Sequence, residues 1–529
     1  MRGAVRMKIE AGFLSRMAAE RFAERIALTW NGTHETFREM NETANRFGSG
    51  LLATGLERGD RIAVLSYNRP EVVHAWLGCE KFAFVRVAMH THNPVEDHVA
   101  VLRHVGARAL VFDTAFTGLV EPVRGQLPDG TVFIAIGPGC PPWARPFGDL
   151  VAAGSPADPL LDVDEDDVCF LQLTSGTTGM SKPWVKTYRS WRAVVEHNAV
   201  HLDTFDGQPA VGPDDVNLHF HPLQWATGFQ TLYPYLNRGA RTVIVSDEQF
   251  DPAAVVDLMA AEGVTGTFAP GPLLAPILDV VEARGGAAAA GLVLKRVVVF
   301  FGSPELLTRF SRLAGPVWAH AFGSTEQGAA TTRLLPSDVA AEPGRLNSVG
   351  RSASPDLEVA ITDPSGARVP IEEVGEILVR SAMSAGWYWD MPDRNEACFY
   401  PGGWFRSGDV GYLDADGFLF YGDRASDTIQ VDGQVIYPHT VEAALLAHDS
   451  VANCGVVAVA RGDGAVVTAA VVLKAGRADC TDDLRGLVRE AVGAVEREPE
   501  IVLVAELPTV LGGAKVQRGA LRERLEALR

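Results

Sequence analysis

The sequence predicts an α/β protein. It has a large N-terminal domain of layered α/β subdomains with a β-rich end, then a small mobile α+β domain at the C-terminus. Three observations predict this. Short apolar runs alternate with helix-like segments through most of the chain, the pattern of α/β layers with parallel sheet. Near residue 340 the texture changes to strand pairs joined by turn signals. After Arg424 roughly one hundred residues form a separate α/β pattern, enough for a core of their own. At 529 residues the chain is too long for a single ordinary core.

The elements follow in order. "RIAVLSYN" (61–68) reads as a buried strand, followed by the helical "PEVVHAWLGCEKF". "ARALVFD" (107–113), "TVFIAI" (131–136), "RTVIVSD" (241–247) and "RVVVFFGS" (296–303) are further strands. "ARGGAAAAGL" (283–292) reads as a helix end and loop. "LEVAITDPSGARVP" and "GYLDADGFLFYGDR" carry D-P-S-G and D-A-D-G turns, with "GEILVRS" as a strand between them. The tail contains "DTIQVDG", the helix "HTVEAALLAH", the strands "CGVVAVA" and "AVVTAAVVL", the helix "TDDLRGLVREAVGAVE" and the strand "IVLVAEL". The domains are therefore read as 1–424 and 428–529, with a boundary at 425–427.

Composition narrows the function. Hydrophobic residues make up 47% and charged residues 21%, a soluble globular balance. Lys+Arg number 47 and Asp+Glu 66, a net charge of −19. That disfavours general binding to nucleic acid or anionic membranes, while a local basic patch can still serve an anionic ligand. The six cysteines are scattered, and none forms C-x-x-C, so neither a zinc site nor a disulfide framework is indicated. A cytoplasmic setting is expected. The first residues lack a continuous apolar signal-peptide region, and no apolar run is long enough to span a bilayer.

"TSGTTGMSKPWVKTY" (174–188) has the chemistry of a phosphate cradle. Gly176 and Gly179 let the backbone approach an anion, so that successive N–H groups can converge on it. Ser175, Thr177 and Thr178 add hydroxyls, and Lys182 adds a mobile charge. The spacing is neither a Walker A loop nor G-x-G-x-x-G. A plain Ser/Thr/Gly turn explains the stretch equally well in isolation.

Further motifs lie downstream: "FGSPELL" (301–307), "HAFGSTEQG" (320–328), "GGWFRSGDVGYLDADGFLFYGDRASDTIQVDGQVIYPHTVE" (402–442) and "LPTVLGGAKVQRGALR" (507–522). In this order and spacing the chain resembles the adenylate-forming superfamily of acyl-CoA and aryl-CoA ligases, peptide-synthetase adenylation domains and luciferases. The resemblance is nearly end to end. It implies that a carboxylate attacks the α-phosphate of ATP, releasing pyrophosphate, and that a thiol then attacks the acyl-AMP carbonyl. The cofactors implied are ATP or acyl-AMP, Mg²⁺, and coenzyme A as acceptor.

The resemblance assigns roles. Thr174, Ser175, Gly176, Thr177, Thr178, Gly179 and Lys182 wrap phosphates. Glu326 holds Mg²⁺ with Thr177, and Thr178 joins Glu326 and Lys515 as catalytic. Phe322 stacks on adenine, and Gly302, Ser303 and Pro304 line its other side. Gly323, Ser324 and Thr325 complete the nucleotide site. Asp409 accepts from both ribose hydroxyls, reinforced by Arg424. Lys515 bridges carboxylate and α-phosphate oxygens. Trp225, Gly228, Phe229 and Phe301 border the acyl pocket, and Ser426 and Asp427 form the hinge. Each has a plainer reading: Glu326 as a solvated loop carboxylate, Asp409 as a turn residue, Arg424 as a surface ion pair, Phe322 as core. His221 and His320 are read as structural or pocket-lining.

The sequence also departs from that pattern. Ser181 stands for a proline, Pro183 for a glycine, Trp184 for a small aliphatic residue, Tyr188 for a histidine and Trp225 for another histidine. Lys515 lies one residue further from Pro508 than usual. Pro183 fixes φ and deletes an N–H, and Trp184 is expected to add bulk beside the triphosphate path. Two readings arise within the resemblance. One is an AMP-forming acid–CoA ligase for a bulky hydrophobic acid in bacterial secondary metabolism. The other is a non-adenylating ligase that takes acyl-AMP from a separate adenylating enzyme. A third, from another class, is a non-catalytic adenylate-binding protein. A homodimer stays open.

Overall fold

The computed structural model describes residues 7–174, 180–328, 330–352, 354–363, 365–431, 434–446, 448–462, 464–474, 476–477, 480–493, 495–510 and 515–528, with the backbone alone at 509, 510 and 515. The chain divides into two compact units. One comprises 1–358 and 379–405, the other 359–378 and 406–529.

The first unit holds two large sheets. In spatial order the first runs Lys182–Thr187, Val168–Thr174, Val85–Ala88, Arg61–Leu65, Ala109–Asp113, Val132–Ile136 and Arg145–Pro146. Its neighbours are parallel except for the first two, which form an antiparallel hairpin. The central strands Arg61–Leu65 and Ala109–Asp113 are almost wholly apolar and buried, as parallel strands covered on both sides must be. The second sheet runs Ala330–Leu334, Trp318–Gly323, Arg296–Phe300, Gly266–Pro270, Val216–His219, Arg241–Ile244, Ile26–Trp30 and Thr33–Thr36. It is parallel apart from the pairs at its two edges.

Local chemistry starts the helices. Thr36 caps Phe37–Ala53 through a capping box with Glu39, the T-x-x-E signature. Thr187 does the same for Tyr188–Asp203 with Ser190. An aromatic cluster ties the helices to the first sheet. Trp76 stacks on Phe229 at 3.8 Å and meets Phe170 at 4.6 Å, and Trp191 meets Tyr233 at 5.5 Å. No helix among the described residues is long and apolar enough to cross a membrane.

The hairpin of Trp404–Leu413 and Leu419–Arg424, which belongs to the second unit from Arg406 onward, turns at Asp414, whose Oδ1 accepts from the N–H groups of Asp416 and Phe418. Beyond it, Val451–Arg461, Gly464–Leu473 and Glu500–Leu503 form a three-stranded sheet. Alternation along the first of these strands sends Val456 toward Val441 and Leu484, and Val457 and Val459 toward Leu521 and Leu525. Helices therefore cover both faces. The compact units do not coincide with the boundary expected at 425–427. Asp423 accepts from the His439 N–H at 2.9 Å, so the strand ending at Arg424 packs with the segment on its C-terminal side.

Candidate active site

The described ends of the phosphate-loop motif lie on two antiparallel strands. Thr174 ends one strand and pairs with Lys182, which begins the next. Ser175, Gly176, Thr177, Thr178 and Gly179 lie outside the described residues. The exit of the turn is tied down. Ser181 donates from its N–H and hydroxyl to Asp97 at 2.6 and 2.8 Å, and Asn93 donates to the Ser181 hydroxyl at 2.9 Å. This replaces the rigidity of the proline usual at that position with a hydrogen-bonded clasp.

Lys182, Trp184 and Lys186 share one face of their strand by period-two alternation. Glu326 lies in the turn after Trp318–Gly323, where the Ser324 hydroxyl accepts the Gln327 N–H at 3.3 Å. The Tyr388 hydroxyl donates to Glu326 Oε1 at 2.7 Å. Burial holds the Lys182 ammonium below its usual range, helped by Arg394 and opposed by Glu326. Lys186 is fully buried and donates to the Met383 carbonyl at 2.7 Å. Burial brings its pKa down to about 7, again opposed by Glu326. Glu326 thus acts electrostatically on two lysines of one strand face, of which Lys182, beside the motif, is the one placed to meet a phosphate.

The structure corrects the expectation for Trp184. It does not stand beside an open path. It is wholly buried against Tyr388, Phe405 and Phe399, at centroid distances of 4.9, 5.5 and 6.3 Å. A Cβ on Gly386 would come within 2.7 Å of its indole, so a glycine there makes the room. Pro183 is accommodated without loss to the sheet. Its carbonyl accepts from the Trp389 N–H at 2.8 Å, on the side away from Val168–Thr174. Its nitrogen faces that same side, so the missing N–H takes nothing from the hairpin ladder. Tyr188 is core, donating to the Glu80 carbonyl at 2.6 Å.

The "FGSP" motif turns sharply at the carboxyl end of Arg296–Phe300. Phe301 adopts φ 57°, uncommon for a residue with a side chain. It is 61% exposed. The Gly302 N–H donates to His320 Nε2 at 3.4 Å. Burial lowers the His320 pKa to about 4, so the imidazole stays neutral and able to accept. Ser303 caps the helix Pro304–Ala314, accepting the Leu306 N–H at 3.2 Å, and Pro304 takes its first position. Phe322 and Gly323 continue into a bulge where Gly323 pairs with Ala330. Thr325, like Phe322, is half-buried.

A cavity of about 40 Å³ lies beside Phe300. Thr227, Gln230 and Thr231 line it from the helix Ala226–Leu236, and Asn198 and His201 from Tyr188–Asp203. Trp225, Gly228 and Phe229 do not line it. Phe229 points the opposite way, into the aromatic cluster with Trp76. Gly228 is needed because a Cβ would meet the Leu223 carbonyl at 2.3 Å.

The second unit carries the remaining motif residues. Asp409 and Arg424 are cross-strand partners. Arg424 Nε lies 3.0 Å from Asp409 Oδ1, and its Nη1 donates to the Ser407 carbonyl at 2.9 Å. Asp409 is buried. Ser426 is exposed, and Asp427 faces Arg518 at 3.5 Å. Arg518 also pairs with Glu442 at 2.7 Å and approaches Asp423 at 3.5 Å. The Lys515 backbone pairs with Val510, while residues 511–514 lie outside the described set.

Mg²⁺ dehydrates reluctantly and is commonly held by one or two carboxylates together with substrate phosphates. Glu326 beside the hairpin fits that demand. No cluster of three or more His, Cys, Asp or Glu exists among the described residues, so an all-protein metal cage is not what this site offers.

Comparison with known proteins agrees with this geometry. The AMP-binding enzyme family matches residues 15–389, and the AMP-binding enzyme C-terminal domain matches 440–511. A medium/long-chain fatty acid–CoA ligase of Mycobacterium tuberculosis is 28% identical over 527 residues, covering 96% of this chain and 88% of its own. A 2-succinylbenzoate–CoA ligase of Bacillus velezensis is 30% identical, with 82% of each chain covered. The crystal structure of an anthranilate CoA ligase in complex with anthranoyl-AMP superposes with a TM-score of 0.87 over 98% of both chains, at 23% identity. The chain belongs to the AMP-binding enzyme family of adenylate-forming enzymes, and within it to the acyl-CoA ligase type.

Proposed function

We propose that this protein joins a carboxylic acid to the thiol of coenzyme A through an acyl-adenylate, carrying out both half-reactions itself. The observation that supports this most is Glu326, oriented by the Tyr388 hydroxyl and set among the lysines of the strand that leaves the phosphate-loop motif. In the first half-reaction a carboxylate oxygen attacks the α-phosphorus and pyrophosphate leaves. Two anions must meet, so the site has to supply positive charge. Lys182 supplies it toward the phosphates, and Lys515 toward the carboxylate and α-phosphate. Mg²⁺ beside Glu326 and Thr177 would neutralise phosphate charge. In the second half-reaction the thiol sulfur attacks the adenylate carbonyl, the thiol proton is lost, and AMP departs. Asp409 holds the ribose and Arg424 holds Asp409. Phe322 and the Gly302–Pro304 turn sandwich the base, with Gly323, Ser324 and Thr325 behind it. The acyl group enters the cavity beside Phe300.

The buried position of Trp184 supports this reading over that of a protein confined to the second half-reaction, because the indole is packed into the core. The experiment is ATP–pyrophosphate exchange run beside thioester formation from synthetic acyl-AMP. Acid-dependent exchange together with ATP-dependent thioester is expected. Thioester from acyl-AMP without exchange would make the protein a non-adenylating ligase. Neither activity would leave an adenylate-binding protein.

A further inference from the structure

Resting on that reading, we infer that Arg394 is a further cation of the adenylation half-reaction, meeting the phosphates that depart as pyrophosphate. The backbone sets its place. Val185 donates its N–H to the Trp387 carbonyl, and Trp389 donates its own to the Pro183 carbonyl, both at 2.8 Å. Trp184 and Tyr388 are the partners of this antiparallel bridge. Tyr388 therefore meets the strand Lys182–Thr187 just beyond Lys182. The Asn395 side chain clamps the Tyr388 backbone, accepting its N–H at 2.7 Å and donating to its carbonyl at 2.8 Å. Arg394 adjoins that clamp in the short helix Pro392–Cys398.

The Arg394 guanidinium lies over the Tyr388 ring, 4.7 Å from its centroid. The hydroxyl of the same ring donates to Glu326 at 2.7 Å. Burial raises the Tyr388 pKa, Glu326 adds to the rise, and Arg394 opposes it. After burial, Arg394 is also the largest influence lowering the Lys182 pKa. An exposed arginine resting on an aromatic ring is common by itself. Here the ring's other partner is Glu326, and the like charge within electrostatic reach is Lys182. Arg394 is exposed, and among the described residues no carboxylate forms an ion pair with it. Two cations held near each other without a shared counter-charge favour an anion that meets both.

Adenylation supplies that anion. A carboxylate oxygen forms a bond to the α-phosphorus, and the bond from that phosphorus to the bridging oxygen breaks. The electron pair leaves with pyrophosphate, so negative charge builds on the β-phosphate. Lys182 meets it as a point charge. The planar fork of Arg394 matches two phosphate oxygens at once. AMP, the product that remains, lacks those phosphates and offers Arg394 nothing to hold.

The test compares two nucleotides by calorimetry on the full-length protein with excess Mg²⁺. One is α,β-methylene-ATP, which cannot release pyrophosphate, and the other is AMP. Arg394→Gln is expected to weaken the ATP analogue by about tenfold or more, the loss of a charge-assisted hydrogen bond, and to change AMP affinity by less than about twofold. Arg394→Lys should recover part of the loss, because it keeps the charge without the fork. Urea unfolding checks that both variants remain folded. Equal weakening of both nucleotides would show that Arg394 acts only through the shape of the site, and unchanged affinity for the analogue would show no contact. Either result overturns this inference and leaves the ligase reading intact. A parent protein that binds AMP but not the analogue, or binds neither, would overturn both.

Discussion

Trp184 illustrates how one substitution changes meaning once its surroundings are known. Beside a phosphate loop it reads as an obstruction, yet it is a buried wall behind Tyr388, the residue that orients Glu326. Trp184→Ala is therefore expected to cost about 3–5 kcal/mol of stability, the range for deleting a large buried aromatic side chain. Urea unfolding measures the loss, and a variant as stable as the parent would contradict the packing role. Asp409 is the opposite case, a buried carboxylate whose charge partner lies across the strand at 3.0 Å. If it also accepts the ribose hydroxyls, Asp409→Ala should weaken an acyl-AMP analogue by about 1.5–3 kcal/mol per lost hydrogen bond. Calorimetry decides, and unchanged affinity would remove the ribose assignment.

At the scale of elements, the helix Pro70–Lys81 carries a buried acid. Glu80 accepts from the Tyr233 hydroxyl at 3.1 Å, and burial raises its pKa from 4.5 to about 7. Between those two values the folded chain keeps a proton that the unfolded chain has lost. Stability from this group therefore falls as pH rises from about 4.5 to 7, and the loss is complete above that. Glu80→Gln should stabilise the protein at pH 8 by up to about 3 kcal/mol, with the gain fading toward about pH 4. Unfolding curves at the two pH values measure the difference, and an equal effect at both would show that Glu80 is not titrating in this window.

For the whole molecule, the proposed chemistry asks one cleft to run two reactions, and a turn about Ser426–Asp427 would let it do so. Arg518 bridges this point, reaching Asp423 before it and Asp427 and Glu442 after it. Any such turn has to loosen that bridge. Ser426→Pro fixes φ in the exposed hinge. It is expected to slow one half-reaction at least tenfold relative to the other. Exchange and thioester formation assayed separately give the ratio, and parental rates in both would place the hinge elsewhere.

The sequence by itself determined the α/β class, the strands at 61–65, 109–113, 132–136, 241–244 and 296–300, and the family. These are properties of local patterning. Buried parallel strands must be apolar on both faces, and turn chemistry such as that of Asp414 is written in a few adjacent residues. Only the tertiary structure decided which side of a strand or helix does what. Lys186 sits four residues after Lys182, a spacing that puts both on one face, but nothing local says that this face meets Glu326 rather than solvent. Thr227 and Phe229 are neighbours on one helix, and long-range packing alone sends the first to the cavity and the second to Trp76. Tyr388 escaped notice because its partner, Glu326, lies far away in the chain. Burial, unmet hydrogen bonds and pKa shifts arise from contacts between distant segments, and a one-dimensional pattern carries no record of them.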